Sequence, residues 1–432
     1  MRCTDGMTPG EYVRIIQSGG NNVKNIECTM EKIWNHFEHK MLCNKTNLIY
    51  DYLVGYDEDA LTKALPTPEE IALQIPNPCG WGTGMEDCML NNPLMLDAVI
   101  YRYEVTKDEK LFDLADKLLA GIKLCATVSD DRGYLARGVS PIDCKSHYIN
   151  TSRDQYTQCT YALFHYYTSS MLREQDKEWI TDVLVSFAER AEKNITKENE
   201  YDYLREDGKR GLVCTMWGSK IWGHEVNRLH MIYLAAWYTS RDEHWFELYK
   251  EIRDEGIRLA TERIHPETQM YGFLQMQVSI KLLYEAEPEA EYKEKYAQIL
   301  KFVAKKVSEY GITEDKLDYT KINSPFSDWR EEKARNVWNH YAARKERNAL
   351  IGGYTYYIPE TKLWSEVIVI RNITEAVYIR MLGGDKNISA KQRKDFLKVL
   401  EFYDDEKHCS YAYICAIVSY WASKFFETEL GF

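Results

Sequence analysis

Cleaving the bond between two sugar units ordinarily takes two carboxyl groups, one as acid and one as base or nucleophile. Acidic residues at the entrances of apolar segments are therefore the first place to look for chemistry. Residues 77–96, NPCGWGTGMEDCMLNNPLML, set Glu86 and Asp87 between a Gly/Trp-rich loop and an apolar helix. Asp87 is the candidate general acid/base, with Glu86 and Trp81 as candidate substrate contacts. A carboxylate at that point also suits a helix cap, and Pro93 suits a first helical turn. The second candidate is Asp154, which follows the polar run at 146–153 and opens another apolar segment. Here Arg153 is placed to orient a hydroxyl or carboxylate, and His147 to line a subsite. A helix-start ion pair between Arg153 and Asp154, with a cap, is the plain alternative.

A third cluster, CTMWGSKIWGHEVNRLH at 214–230, brings Trp217, Trp222, His224, Glu225 and Arg228 to a further helix start. Flat indole faces suit the apolar sides of sugar rings, so Trp217, Trp222 and His224 are candidate subsite residues. Tyr411, entering the last apolar segment behind the acidic run at 403–408, is another. His224 and His230 are six apart, a poor spacing for one metal on one helix face. There is no P-loop, no GxGxxG after a strand and no GxSxG elbow. Neither a metal nor a cofactor is expected.

The elements that must position these residues are helical. Apolar periodicity predicts twelve helices, near 21–40, 93–106, 108–127, 153–170, 175–194, 225–240, 242–263, 273–286, 289–309, 363–382, 389–403 and 410–428. Some carry a single apolar stripe, as in 108–127 and 289–309, and need one covered face. Others, such as 153–170, 225–240 and 410–428, are apolar nearly all round and need cover on every side. The two kinds alternate, short turns follow the all-round apolar helices, and long connections precede them. Six hairpins of one inner and one outer helix close into an all-α, (α/α)6 toroid, with every long loop on the face where inner helices begin. An irregular bundle or an α-solenoid would use the same hairpins. No Pro/Ser/Gly-rich linker divides the chain, so a single domain over 1–432 is expected. Residues 311–362 form an insertion whose stretch 329–347 reads as helical, suited either to a lid over the mouth or to packing.

The segment MEDCMLNNPLMLDAVIYRYEVTKDEKLFDLA resembles the unsaturated glucuronyl hydrolases and the related unsaturated rhamnogalacturonyl hydrolases. In those enzymes an Asp opens an inner helix, and a T-x-D-x-K/R turn leads into the outer one. The resemblance puts their general acid/base at Asp87. More loosely, TSRDQYTQCTYALFHYY resembles their next inner helix, with Arg153 on the Arg, Asp154 on the Gly and Gln155 on the Gln/Asn position. The likeness spans about residues 80–170, without the signature tryptophans of the second segment. It implies the six-hairpin fold and membership of the broader six-hairpin glycosidase class.

The whole chain has 432 residues, 32 of them Tyr, and a net charge of −12. An acidic balance argues against nucleic acid as a partner, and no apolar run reaches the length of a membrane span. Two mouth loops are locally basic. Arg132, Arg137, Lys145, Arg153, Arg205, Lys209, Arg210 and Lys220 stand against Asp143, Glu206 and Asp207, which suits an anionic glycan. Eleven cysteines with no CxxC, and an N-terminus unlike a signal peptide, favour the reducing cytoplasm; a removed leader would allow a periplasmic or secreted location. The expectation is a glycoside hydrolase acting on an oligosaccharide, a uronic-acid-bearing one included. A polysaccharide lyase using His147, Tyr148 and Asn150, or a non-catalytic glycan-binding toroid, are the alternatives.

Overall fold

The structure, a computed structural model, describes residues 22–51, 65–310, 330, 334–335, 358–359, 364–401, 403–404 and 411–427. Its helices are α1 (Asn22–His36), the short α2 (Pro68–Ala72), α3 (Cys88–Thr106), α4 (Leu111–Thr127), α5 (Arg153–Thr168) and α6 (Glu174–Asn194). They continue with α7 (Asn227–Ser240), α8 (Glu243–Glu262), α9 (Met270–Ala286), α10 (Ala290–Ser308), α11 (Trp364–Leu382), α12 (Ala390–Glu401) and α13 (Tyr411–Phe425). A five-residue π-helical segment, Phe37–Met41, extends α1.

Burial follows the two kinds of periodicity. In α3 every residue from Cys88 to Tyr101 is buried, as an all-round apolar helix requires. In α10 the buried set is Tyr296, Ile299, Leu300, Val303, Ala304 and Val307, a single stripe under a Lys/Glu surface. Each large apolar side chain so covered contributes about 1.5–3 kcal/mol.

Packing closes the ring. Going round, α3 packs on α5, α5 on α7, α7 on α9, α9 on α11, α11 on α13, and α13 returns to α3. The outer layer is α4, α6, α8, α10, α12 and α1, each against its own inner helix. This is the six-hairpin toroid. The wall is indented where α5 also touches α9, and there Gln275 Nε2 donates to Gln158 Oε1 at 3.4 Å. The last hairpin joins α13 to α1 and is fastened by Arg102 of α3. Its guanidinium lies 4.3 Å from the ring centre of Trp34 and 4.8 Å from that of Trp421. The short turns fall at the end opposite the inner-helix starts, with Lys107 and Arg241 ending α3 and α7 at φ of 53° and 61°.

The start of α3 differs from expectation. The helix begins at Cys88, five residues before the predicted position, so Pro93 lies inside it rather than in its first turn. The missing Pro93 N–H leaves no helical partner for the Met89 carbonyl. Much of the 311–362 insertion lies outside the described residues. Within 329–347, Ala334–Arg335 pairs antiparallel with Ile358–Pro359 as a two-residue ladder, β1 and β2, and not as helix. Arg330 donates to both oxygens of Glu70 (2.8 and 2.7 Å) and to the Leu65 carbonyl (2.9 Å), tying that residue to α2. Among the described residues no helix is long and apolar enough to cross a membrane. Among the described residues no disulfide joins two cysteines.

Candidate functional site

The loop before α3 is shaped by its own polar groups. Asn77 Oδ1 accepts the N–H groups of Cys79 and Trp81, both at 3.1 Å, and its Nδ2 donates to the Trp81 carbonyl at 3.1 Å. Glu86 Oε2 accepts the Gly82 N–H. Gly84, at φ +84°, leaves no room for a side chain, since a Cβ there would stand 2.3 Å from the Asp51 carbonyl oxygen. In return the Asp51 N–H donates to the Gly84 carbonyl at 2.8 Å. The loop and the segment ending at Asp51 are thus pressed together, and Asp51 is carried to the mouth of α3.

Asp87 occupies the N-cap position, but its side chain caps nothing. Its backbone carbonyl takes the Leu90 and Asn91 N–H groups at 2.8 and 2.9 Å, which frees the carboxylate for other contacts. Arg137 Nη2 reaches Asp87 Oδ1 at 3.1 Å and Gln155 Nε2 reaches it at 2.9 Å. The side chain keeps 14% of its surface exposed. Behind it, Asp51 is fully buried and accepts the Asn91 amide on Oδ1 at 2.7 Å. Carboxyl oxygens of Asp51, Glu86 and Asp87 all lie within 4.8 Å of one another. Each acid has one oxygen bonded to a protein N–H, so the cluster is supplied with donors from the chain itself.

Burial pushes the Asp87 carboxyl above its ordinary value, opposed by Arg137 and Arg371 and reinforced by the Asp154 charge. Asp51 is pushed up much further, by burial and then by the Asp87 and Glu86 charges.

Asp154, at the mouth of the adjacent helix α5, is in the opposite state. Its helix is capped by Ser152, whose hydroxyl accepts the Gln155 N–H. Arg228 of α7 pairs with Asp154 through Nη1. Burial works to raise the Asp154 pKa, but Arg228 and Arg153 overcome it and hold the group below the usual carboxylate range. The alternative reading, an Arg153–Asp154 pair at the helix start, is not what forms. Arg153 pairs with Glu225 because its side chain turns toward the loop before α7, where Nη1 also donates to the Thr215 carbonyl at 3.2 Å. Glu225 is likewise held low: Arg153, His224 and Arg228 outweigh its burial. His224 lies 3.7 Å from Glu225, and burial pulls its pKa down to about 4. It stands in this ion-pair lattice as a neutral imidazole at neutral pH.

Asp87, Arg153, Asp154 and His224 therefore converge, together with Arg137, Gln155, Arg228 and Asp51. Other predicted contacts sit elsewhere. Glu86 is 3% exposed and anchors the Gly82 loop through Oε2. His147 is bonded to Glu206 at 3.1 Å and to the Lys145 carbonyl at 2.9 Å, a strut between two loops. Trp81 is 7% exposed and its ring lies 5.8 Å from the Arg137 guanidinium, close to Asp87. Trp217 packs on His230 (5.3 Å) and Trp222 on His265 (4.6 Å). The Tyr411 side chain lies outside the described residues.

The groups expected of a lyase are spent on loop construction. Tyr148 donates to the Ile75 carbonyl, and Asn150 binds the backbone of Thr151 and Leu212. The basic patch is also largely neutralised. Arg132 pairs with Asp182 and Glu189, Arg137 with Asp87, Arg153 with Glu225, Arg205 with Asp207 and Arg210 with Glu200. Acids outside the two loops supply most of these partners, which is why counting charge within the loops overstated the excess.

Asp51 and Arg371 escaped the sequence reading. Asp51 lies in an irregular connection without periodicity. Arg371 sits on α11 as an apparent i,i+4 partner of Glu375 (2.9 Å), yet its guanidinium is 5.6 Å from the Tyr271 ring and its charge acts on both Asp51 and Asp87.

No protein-family model matches this sequence, and no curated protein sequence matches it. Among solved structures, the chain is similar to a sugar epimerase from a ruminal bacterium, at 12% identity over 86% of this chain and 85% of that one, with a TM-score of 0.44. It is similar to the cellobiose 2-epimerase of Bacillus thermoamylovorans B4167, at 13% identity over 87% and 86%, TM-score 0.43. It is also similar to an inactive variant of an alpha-1,6-mannanase of Salegentibacter sp. HEL1_6 in complex with alpha-1,6-mannotriose, at 12% identity over 66% and 88%, TM-score 0.31.

Proposed function

We propose that the mouth of the toroid is the active site of a glycoside hydrolase acting on an oligosaccharide. Asp87 would serve as general acid/base and Asp154 as the second carboxylate. The observation that carries this reading is the opposed state of the two acids on adjacent inner helices. One is raised by burial and the other held ionised by two arginines, and such a split is how a site sorts acid from base. In the reaction Asp87 gives its proton to the glycosidic oxygen as the bond to the anomeric carbon breaks. Asp154, as the anion, faces the positive charge developing there and takes the proton of the water that forms the new bond.

The charge lattice favours a neutral sugar over a uronate. Arg137, Arg153 and Arg228 are each bonded to a carboxylate of the site. A sugar carboxylate would compete with those acids, while hydroxyl groups can bond to both members of each pair. The resemblance to unsaturated uronyl hydrolases supports Asp87 as the acid without requiring their substrate.

The test is a panel of neutral and uronate oligosaccharides with reducing-end detection, run with the parent and with Asp87→Asn. General acid catalysis is worth about 10²–10⁴-fold, so the variant should lose at least ~100-fold on the substrate that is cut. A variant within a few-fold of the parent would refute the assignment. Product absorbance from a new alkene would instead identify a lyase. A glycan that raises the melting temperature without being cut would identify a binding protein.

A further inference from the structure

We propose that Asp51 is a positioning residue for Asp87, its carboxyl group sharing one proton with the Asp87 carboxyl so that the pair carries a single negative charge at neutral pH. The inference extends the role proposed for Asp87, and it stands on the geometry behind that residue.

Three carboxyl groups converge within 4.8 Å where Asp51 is fully buried and Glu86 is 3% exposed. Like charges at that separation, removed from water, do not all ionise. Glu86 Oε2 accepts the Gly82 N–H, a bond that favours the anion. Asp87 has Arg137 on one oxygen. Asp51 has only the neutral Asn91 amide on Oδ1, while its Oδ2 is buried without a hydrogen-bond partner. An oxygen with no donor pointing at it is where a carboxyl proton belongs. The charged and titratable groups facing the pair are Cys79 from the loop before α3, Glu86 and Cys88 at the start of α3, Arg137 from the 128–152 loop, Asp154 from α5 and Arg371 from α11. Two of these cations already compensate Asp87; burial, Asp87 and Glu86 all act to keep Asp51 neutral.

The consequence is a store of one proton directly behind the group proposed as the acid. With the shared proton on Asp87 the pair can act as an acid, with it on Asp51 the Asp87 carboxylate can act as a base, and the pair titrates in two macroscopic steps.

The experiment needs no substrate. Asp51→Asn keeps the side-chain size and an acceptor for Asn91, and Asp51→Glu restores the acid. Infrared difference spectra at pH 7, with the carboxyl groups of both aspartate and glutamate ¹³C-labelled, should show the C=O stretch of a protonated carboxyl in the parent. That signal should be lost in Asp51→Asn and present in Asp51→Glu. Melting temperature should follow. The folded-state pKa values of the pair are raised, so stability falls as pH rises through them. Asp51→Asn should therefore melt below the parent at pH 4.5 and at or above it at pH 8. An unchanged spectrum with parallel melting curves overturns the proposal. So does a rise in the parent's melting temperature with millimolar MgCl₂ or CaCl₂ at pH 8 that Asp51→Asn abolishes, which would make the cluster a cation site. If Asp51→Asn does not fold, Asp87→Asn removes the other half of the pair and must alter the same signal. Because no sugar is involved, a lost signal with no hydrolase activity sinks only the hydrolase reading. An unchanged signal with Asp87-dependent activity sinks only the shared proton.

Discussion

Replacing Arg137 by Met tests the electrostatics of the site most directly. Arg137 is 4% exposed, and its Nη2 lies 3.1 Å from Asp87 Oδ1. At that separation and an effective dielectric constant of about 20, the Coulomb attraction is about 5 kcal/mol. That figure is an upper bound, because burying the guanidinium offsets part of it. Aspartates beside an arginine are typically lowered by about 1–3 pH units, or about 1.4–4 kcal/mol. Removing the guanidinium should therefore raise the Asp87 pKa by about 1–3 units. If Asp87 is the acid, activity is lost as pH rises through its pKa, and the alkaline limb of kcat/KM should move upward by that amount. Stability gives a second reading. A raised folded-state pKa means a penalty that is absent below the unfolded value and appears as pH rises through the folded one. In urea melts the variant should lose less at pH 4 than at pH 8, where the loss reaches up to the ~3–5 kcal/mol of a broken buried pair. The packing loss is the same at both pH values and cancels in the comparison. An alkaline limb that stays put or moves down, with a pH-independent loss of stability, would refute the reasoning.

Three further outcomes follow from the same geometry. Gly84→Ala puts a Cβ 2.3 Å from the Asp51 carbonyl oxygen at φ +84°; left-handed backbone alone costs about 1–2 kcal/mol. Its denaturation midpoint should drop and its activity should fall with it, and a wild-type midpoint would mean the loop is not pressed on Asp51. Asp154→Asn leaves the buried Arg228 cation without its acid, a loss of about 3–5 kcal/mol. Adding Arg228→Leu should recover part of that stability with a coupling above ~1 kcal/mol, without recovering activity; strict additivity would dissolve the pair. Tyr156→Phe removes the hydroxyl that donates to the Gly133 carbonyl at 2.8 Å and accepts the Leu135 N–H at 3.0 Å. Leaving those groups unmet should cost about 1–3 kcal/mol and speed amide exchange at Leu135, with unchanged exchange as the contrary result.

The sequence made the architecture legible because each inner helix must be apolar on every side and each outer helix on only one. All twelve predicted helices occur, and the order of the two kinds dictates the ring. The start of α3 was misplaced because Pro93 is an ambiguous sign, at home in a first turn and tolerated where a carbonyl can go unserved. The mouth was half legible. Asp87 and Asp154 were found from their places at helix entrances, but their partners come from other loops and helices. Local reading therefore offered Arg153 as a partner for Asp154, whereas Arg228 is the neighbour in space. For Glu86 and His147 the chain shows the residue types and not the hydrogen bonds that hold them in their loops. Asp51 carried no signal at all: it owes its position to a glycine 33 residues away, and no periodicity announces such a contact.

The clasp of Arg102 between Trp34 and Trp421 makes the polypeptide a circle cut open at one turn. Helix α13 ends, and α1 begins, at the same edge of the toroid, where Lys424 lies 3.5 Å from Glu27. A short peptide joining these two helices would complete a sixth turn like the other five. New ends could then be opened at Lys107 or Arg241, on the edge away from the mouth, leaving each loop that builds the site uncut. A circular permutant should fold with its mouth intact, whereas one opened inside residues 77–87 should lose the site along with its covalent continuity.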